Sequence, residues 1–373
     1  MAISVCRLLC VLSLFFSVTL LNLLGCSAQY FFIFGDSLWD PGNNQYITPG
    51  EKIPSYYPPY GTTFFNHSTG RFSDGRVVPD FIAIKLKLPF IPPVLEPNAD
   101  LTNGASFASG GAGVFDSNPN AMNLENQIGN FTAVAKMWNE TLGEAEANKR
   151  LKEAVYMVAM GGNDYFSFTF QNPNATFLEL KQYVNEVVGN ITIQVKEIYN
   201  IGARKFMFQN VAPIGCLPMF KQQFNISGDG CAQLPLTLSV LHNEALTEMA
   251  NTLANEYPDF TYSIFDYFTA IGQRISNPKD FGFEVGKIAC CGDGSHRASN
   301  CGSFPYCVCS NASNYVFFDG GHNSEAANNQ MAELMWSGGP DVVYPYNMKQ
   351  LFDFDSTVKT FSKKYSLLKM RLA

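Results

Sequence analysis

Short apolar runs alternate with longer amphipathic stretches along this chain, and that alternation restricts its fold more than any other feature. The runs cover residues 30–34, 105–108, 155–160, 205–211 and 260–265, while segments such as 176–199 and 236–256 repeat apolar residues at helical spacing. Runs of this length suit strands buried on both faces, and the helical segments between them suit the crossovers that parallel strands require. We read one three-layer α/β domain with a parallel central sheet and no internal repeat or linker. Residues 29–355 are many for a single core, so two loops rich in Pro and Gly, 48–76 and 89–103, are taken as its excess.

With 46% hydrophobic and 15% charged residues, the chain has ample material for a large core, which excludes a disordered, collagen-like or coiled-coil protein. The formal charge is −7, and the body of the chain holds no basic block. No nucleic-acid partner is expected.

The ends differ from the body. Arg7, an apolar run over 8–24 and Cys26-Ser27-Ala28 describe a secretory signal over 1–28. The secretory pathway is the expected route, with the extracellular space ahead of the vacuole as destination. Residues 356–373 carry Lys359, Lys363, Lys364, Lys369 and Arg371 and no acid, which reads as a solvated basic tail.

Cleavage would remove three of the ten cysteines, leaving 10 − 3 = 7. In an oxidising route Cys216 and Cys231 would close a local loop, Cys290, Cys291, Cys301, Cys307 and Cys309 would form a second cluster, and one thiol would stay unpaired. A zinc site built from that cluster and His296 is the rival reading. Asn-x-Ser/Thr sequons at Asn66, Asn130, Asn139, Asn174, Asn190, Asn225 and Asn311 predict surface positions carrying N-linked glycans.

In doubly wound sheets the chemistry gathers beyond the carboxyl ends of the strands. The first run is followed by Gly35-Asp36-Ser37-Leu38, which sets a hydroxyl at the mouth of the sheet. A serine nucleophile needs a base, and the chain offers four histidines. His67 lies inside a sequon, His296 in the Cys-rich loop, and His242 in a helical stretch where a structural role is expected. His322 differs: it follows the apolar pair Phe317-Phe318, and a carboxylate, Asp319, stands three residues upstream where it could orient an imidazole. Two further strand ends supply donors for an oxyanion: Ser109-Gly110-Gly111, where a backbone N–H can approach, and Gly161-Gly162-Asn163-Asp164, where an amide side chain can. No Gly-x-Ser-x-Gly elbow occurs, which argues against the α/β-hydrolase family.

Taken together, Phe34-Gly35-Asp36-Ser37-Leu38, Ser109-Gly110, Gly161-Gly162-Asn163-Asp164 and Asp319-x-x-His322 resemble the four blocks of the plant GDSL esterase/lipase family within the SGNH hydrolases. Gly70-Arg71-Phe72-Ser73-Asp74, Gly215-Cys216-Leu217-Pro218 and Cys290-Cys291-Gly292 extend the resemblance over nearly the whole mature chain. The resemblance implies a flavodoxin-like fold, no metal or cofactor, and action on small-molecule or lipid esters. Ser37 would be nucleophile, His322 base and Asp319 its orienting acid, with the Ser37 N–H, the Gly110 N–H and the Asn163 amide as oxyanion hole.

The last block departs from the family pattern. Two glycines separate Asp319 from His322, and Asn323 stands where a proline is usual. A less stiff loop is expected, one that Asn323→Pro would tighten with a gain in kcat. That ending, with the Gly294-Ser295-His296 loop, is similar to a branch that includes myrosinase-associated and epithiospecifier-modifier-like proteins, some members of which act as partners of a glycosidase. Three functions therefore stand: a secreted ester hydrolase, an acyltransferase delivering the acyl group to an alcohol, and a non-catalytic glycosidase partner. The intact set of catalytic residue types speaks against the third.

Overall fold

The computed structural model describes residues 29–47, 53–115 and 118–354. The secretory signal expected over 1–28 and the basic tail expected over 356–373 lie outside the described residues.

Every apolar run supplies a strand. β1 (Phe31–Gly35), β2 (Gly104–Ser106), β3 (Val155–Ala159), β4 (Lys205–Gln209) and β5 (Thr261–Phe265) pair in parallel. β6 (Cys291–Gly292) and β7 (Cys307–Val308) form a separate antiparallel pair, and β8 (Val343–Tyr344) joins β5 antiparallel. The main sheet runs β2-β1-β3-β4-β5-β8, the flavodoxin-like order with one antiparallel edge. The expected parallel central sheet is found, with an added antiparallel edge strand of two residues, too short to leave an apolar run to read.

Side chains alternate across a strand, so β1 sends Phe32 and Phe34 to one face of the sheet and Phe31 and Ile33 to the other. The helices Leu124–Leu142, Phe177–Ile201 and Gln233–Glu256 cover the first face. Val78–Leu86, Tyr267–Ser276, Glu325–Ser337 and Met348–Asp353 cover the second. The result is a three-layer α/β fold. Since β2 and β3 flank β1, the chain leaves β1 toward one side and returns on the other, which opens a crevice beyond its carboxyl end. Gly35 pairs with Ala159, so the segments after β1 and β3 emerge at the same height.

The two Pro/Gly-rich loops are structural parts and not excess. Around Pro93 the chain runs parallel beside Ser106 and covers the free edge of β2. In the other loop, the buried Arg71 sets its guanidinium fork on Asp80, with Nε to Oδ2 at 2.8 Å and Nη2 to Oδ1 at 2.7 Å. Arg71 also donates to the Pro41 carbonyl at 3.0 Å, which ties the loop to the turn after β1.

Among the described residues the disulfides are Cys216–Cys231, Cys290–Cys309 and Cys291–Cys301, and Cys307 is an exposed free thiol. Four of the five clustered sulfurs are therefore in S–S bonds, which removes the zinc reading for that cluster. The seven sequon asparagines are all exposed or half-buried.

Candidate active site

Beyond β1, Asp36 Oδ1 accepts the Leu38 N–H at 3.0 Å and turns the chain, setting Ser37 on the wall of the crevice. Ser37 Oγ lies 2.7 Å from His322 Nε2. On the other side of the ring, Nδ1 lies 2.7 and 2.8 Å from the two oxygens of Asp319. With Nδ1–H donated to the carboxylate, Nε2 is left to accept the Ser37 hydroxyl proton. The sequence placed a nucleophile, a base and an orienting acid; the fold brings those three together across 285 residues.

The Asp319–His322 loop is firmly held, contrary to the expectation drawn from its glycines. Asp319 Oδ1 accepts the backbone N–H groups of Gly321 and His322 at 2.9 and 2.8 Å. Gly320 is required by close packing: a Cβ there would stand 2.4 Å from the Ala298 carbonyl oxygen. Its own carbonyl accepts from Met219 N at 2.9 Å, and Cys291 N donates to Phe318 O at 2.7 Å. Asn323 is buried, accepts from the Tyr267 hydroxyl at 3.2 Å and donates to Asn328 Oδ1 at 3.2 Å. Proline at 323 would delete both bonds. The expected sign of Asn323→Pro is therefore reversed: stability falls by about 2 kcal/mol, the loss for stranding buried polar groups, and kcat falls with it. Urea unfolding together with steady-state kinetics checks this.

Two site residues were not found from sequence. Tyr60 donates its hydroxyl to Asp319 Oδ2 at 2.7 Å, and Phe72 stacks on the His322 ring with centroids 4.7 Å apart. Both come from the 48–76 loop first read as excess. The Gly70-Arg71-Phe72-Ser73-Asp74 motif was the available signal for Phe72. Tyr60 had none, because a tyrosine in a Pro-rich loop looks like any surface aromatic.

Burial works against the charged form of His322, but the Asp319 charge and hydrogen bond, with Asp36 farther off, outweigh it and leave the imidazole above its ordinary 6.5. Burial likewise opposes ionisation of Asp319, yet His322 and the Gly321 and Tyr60 donors bring it below the usual carboxylate value. Both shifts favour the charged forms, imidazolium beside carboxylate, over the neutral pair. Asp36 is pushed up to about 6 by burial, against the pull of the Leu38 N–H and His322.

Asn163 lines the same cavity as Ser37. One of its Nδ2 hydrogens goes to the Ala112 carbonyl at 2.8 Å, leaving the second as a donor. Gly161 has φ +113°, and a Cβ there would come 2.9 Å from the His242 ring, so only glycine makes this turn into the helix Gly162–Gln171 that carries Asn163. His242 is structural: its Nδ1 pairs with the Tyr165 hydroxyl at 2.7 Å, and burial pushes its pKa down to about 3. Gly110 is placed otherwise than the oxyanion role needs. Its N–H donates to Asp40 Oδ2 at 3.0 Å and to Asn44 Oδ1 at 2.8 Å. Those bonds fix the loop beside the site and leave this donor already engaged within the protein.

The cavity holds about 190 Å³ and is lined by Met160, Phe166, Val211, Ile214, Leu217 and Phe220, with Ser37, Asn163 and His322 at its polar end. Among the described residues no His, Cys, Asp or Glu group of three or more stands together as a metal-ligand set. A nucleophile paired with a base, beside an amide donor and an apolar pocket, is equipped for acyl chemistry on an ester.

Comparison with known proteins agrees with this geometry. The chain is 41% identical over 336 residues to GDSL esterase/lipase 1 of Arabidopsis thaliana, covering 87% of this chain and 90% of that protein. It is 40% identical over 336 residues to a GDSL lipase of Tanacetum cinerariifolium, covering 89% and 90%. It is 38% identical over 326 residues to an Arabidopsis thaliana protein named inactive GDSL esterase/lipase-like protein 25, covering 87% and 75%. The family model for GDSL-like lipase/acylhydrolase matches residues 31–335, from the start of β1 through the helix after His322, and the chain belongs to that family of ester hydrolases.

Proposed function

We propose that the protein is a secreted serine hydrolase of carboxylic esters that works through an acyl-Ser37 intermediate. The 2.7 Å contact between Ser37 Oγ and His322 Nε2 carries this reading. Ser37 Oγ forms a bond to the ester carbonyl carbon while Nε2 takes its proton, and Asp319 stabilises the imidazolium that results. The Asn163 amide, with the Ser37 N–H, holds the negative oxygen. As the carbon–oxygen bond to the alcohol breaks, His322 returns the proton to the departing oxygen. Water activated by Nε2 then releases the acid and restores Ser37.

Hydrolysis is favoured over acyl transfer because Asp36, Gln209 and Asn210 also line the cavity and give water polar partners beside the acyl-serine. The family includes a protein whose name marks it inactive, but the paired Ser37, His322 and Asp319 speak against a purely glycosidase-binding role here. Secretion and glycosylation at the seven exposed or half-buried sequons complete the proposal.

Titration with an active-site serine phosphonate, followed by p-nitrophenyl esters with and without an alcohol acceptor, tests the reading. Stoichiometric loss of activity and release of free acid are expected. A chain that neither takes up the phosphonate nor hydrolyses any ester would refute it. Asn163→Ala should lower kcat by about 10²-fold with KM little changed, the loss for one oxyanion donor. An unaltered kcat would remove Asn163 from the hole.

A further inference from the structure

We infer that a ladder of four phenylalanines leads the acyl chain of the substrate out of the cavity, so that medium- and long-chain carboxylic esters are its substrate class. This rests on the ester-hydrolase reading and adds residues that determine which ester is taken.

The cavity at Ser37 holds about 190 Å³, little more than the ~150 Å³ apolar cavity that admits a benzene ring. An acyl group beyond roughly eight carbons therefore has to leave it. Phe166 and Phe220 form part of the apolar wall, with ring centroids 5.3 Å apart. From that wall the aromatics continue outward. Phe170 stands one turn after Phe166, 4.8 Å from it and 5.8 Å from Phe220. Phe224 stands one turn after Phe220 at 6.3 Å, with ring planes 5° apart, and lies 6.3 Å from Phe170.

Two helix ends thus present aromatic pairs at i and i+4, facing each other across one seam. Exposure rises along it from 1% at Phe220 to 41% at Phe170 and 37% at Phe224. Rings that served only to glue the helices together would be covered. These are open at the outer end and buried at the inner end, where they meet the cavity that holds the reacting carbonyl. An alkyl chain is the ligand that satisfies such a surface: it has no polar group to leave unpaired, and it is already anchored at Ser37 by its ester. A contiguous apolar patch joined to a site is a binding surface more often than an accident of composition.

The experiment compares kcat/KM for p-nitrophenyl laurate and butyrate, each kept monomeric, in the full chain and in Phe170→Gln, Phe224→Gln and the double variant. The laurate-to-butyrate ratio should fall about tenfold in the double variant and by part of that in each single one. The butyrate rate reports on folding within the same measurement. In parallel, the affinity for dansyl-labelled undecanoic acid should fall by a similar factor. A ratio and an affinity that stay at wild-type values would overturn the ladder. So would a deficit seen only when the ester is held in phosphatidylcholine vesicles, which would assign the patch to a membrane surface. If the wild type hydrolyses no ester yet the affinity drops in the variants, the ladder stands and the hydrolase reading falls.

Discussion

Ser37→Ala should lower kcat on short p-nitrophenyl esters by about 10⁵-fold or more, the size of effect seen when a serine hydrolase loses its nucleophile. The change removes one oxygen, and that oxygen contacts His322 Nε2, a partner that belongs to the reaction. Neither the β1 core nor the Asp319–His322 loop depends on it, so the melting temperature should stay within a few degrees of wild type. Phosphonate labelling should disappear in parallel. A purified, folded Ser37→Ala chain that retains more than a small fraction of wild-type turnover would show that another group attacks the ester.

The second large effect is expected at Asp319. In Asp319→Asn the amide oxygen can still accept from the Gly321 and His322 N–H groups, so the loop should keep its path. The neutral amide, however, can face Nδ1 with its NH₂ group. The ring would then carry its proton on Nε2, pointed at Ser37, where it cannot act as a base. A loss of about 10⁴-fold in kcat is expected, the magnitude known for the wrong tautomer in a serine-protease triad.

The pH dependence gives an independent reading of the same pair. His322 must be neutral to take the Ser37 proton, so activity is present above its pKa and lost as pH falls through it. Because Asp319 and Asp36 hold that pKa above 6.5 in spite of burial, the acid limb of kcat/KM in the wild type should lie above 6.5. Without the Asp319 charge the limb should move to lower pH, since the imidazolium loses its chief stabiliser. An acid limb that does not move in Asp319→Asn would mean that His322 is not the titrating base.

Residue types and order were enough to read the layers of this protein and to name candidate groups that the fold brings into one crevice, because both signals are local. Five short, mostly apolar runs, each about one strand long, suit burial on both faces, and the amphipathic segments between them suit covering the sheet. Ser37, Asn163 and the Asp319–His322 pair announce themselves by following such runs or by standing three residues apart. What the sequence could not settle depends on groups far apart along the chain meeting in space. Tyr60 reaches Asp319 across 259 residues. Phe72 covers the His322 ring because Arg71 is clamped on Asp80. Gly110 turns its N–H to Asp40 and Asn44 because the turn after β1 packs on the loop after β2.

The Gly-Gly pair before His322 illustrates the difference. By residue type it signals freedom, and by sequence alone that is all it can signal. In the fold Gly320 is small because the Ala298 carbonyl occupies the place of a side chain, and the disulfide-bound Cys290 and Cys291 hold the preceding Phe317-Phe318 segment by its backbone. The candidate site residues were therefore legible in the sequence, through polar groups that follow strand ends. The rigidity that lets this chemistry operate was decided by tertiary structure, because stiffness is a property of the contacts around a loop and not of the residues within it.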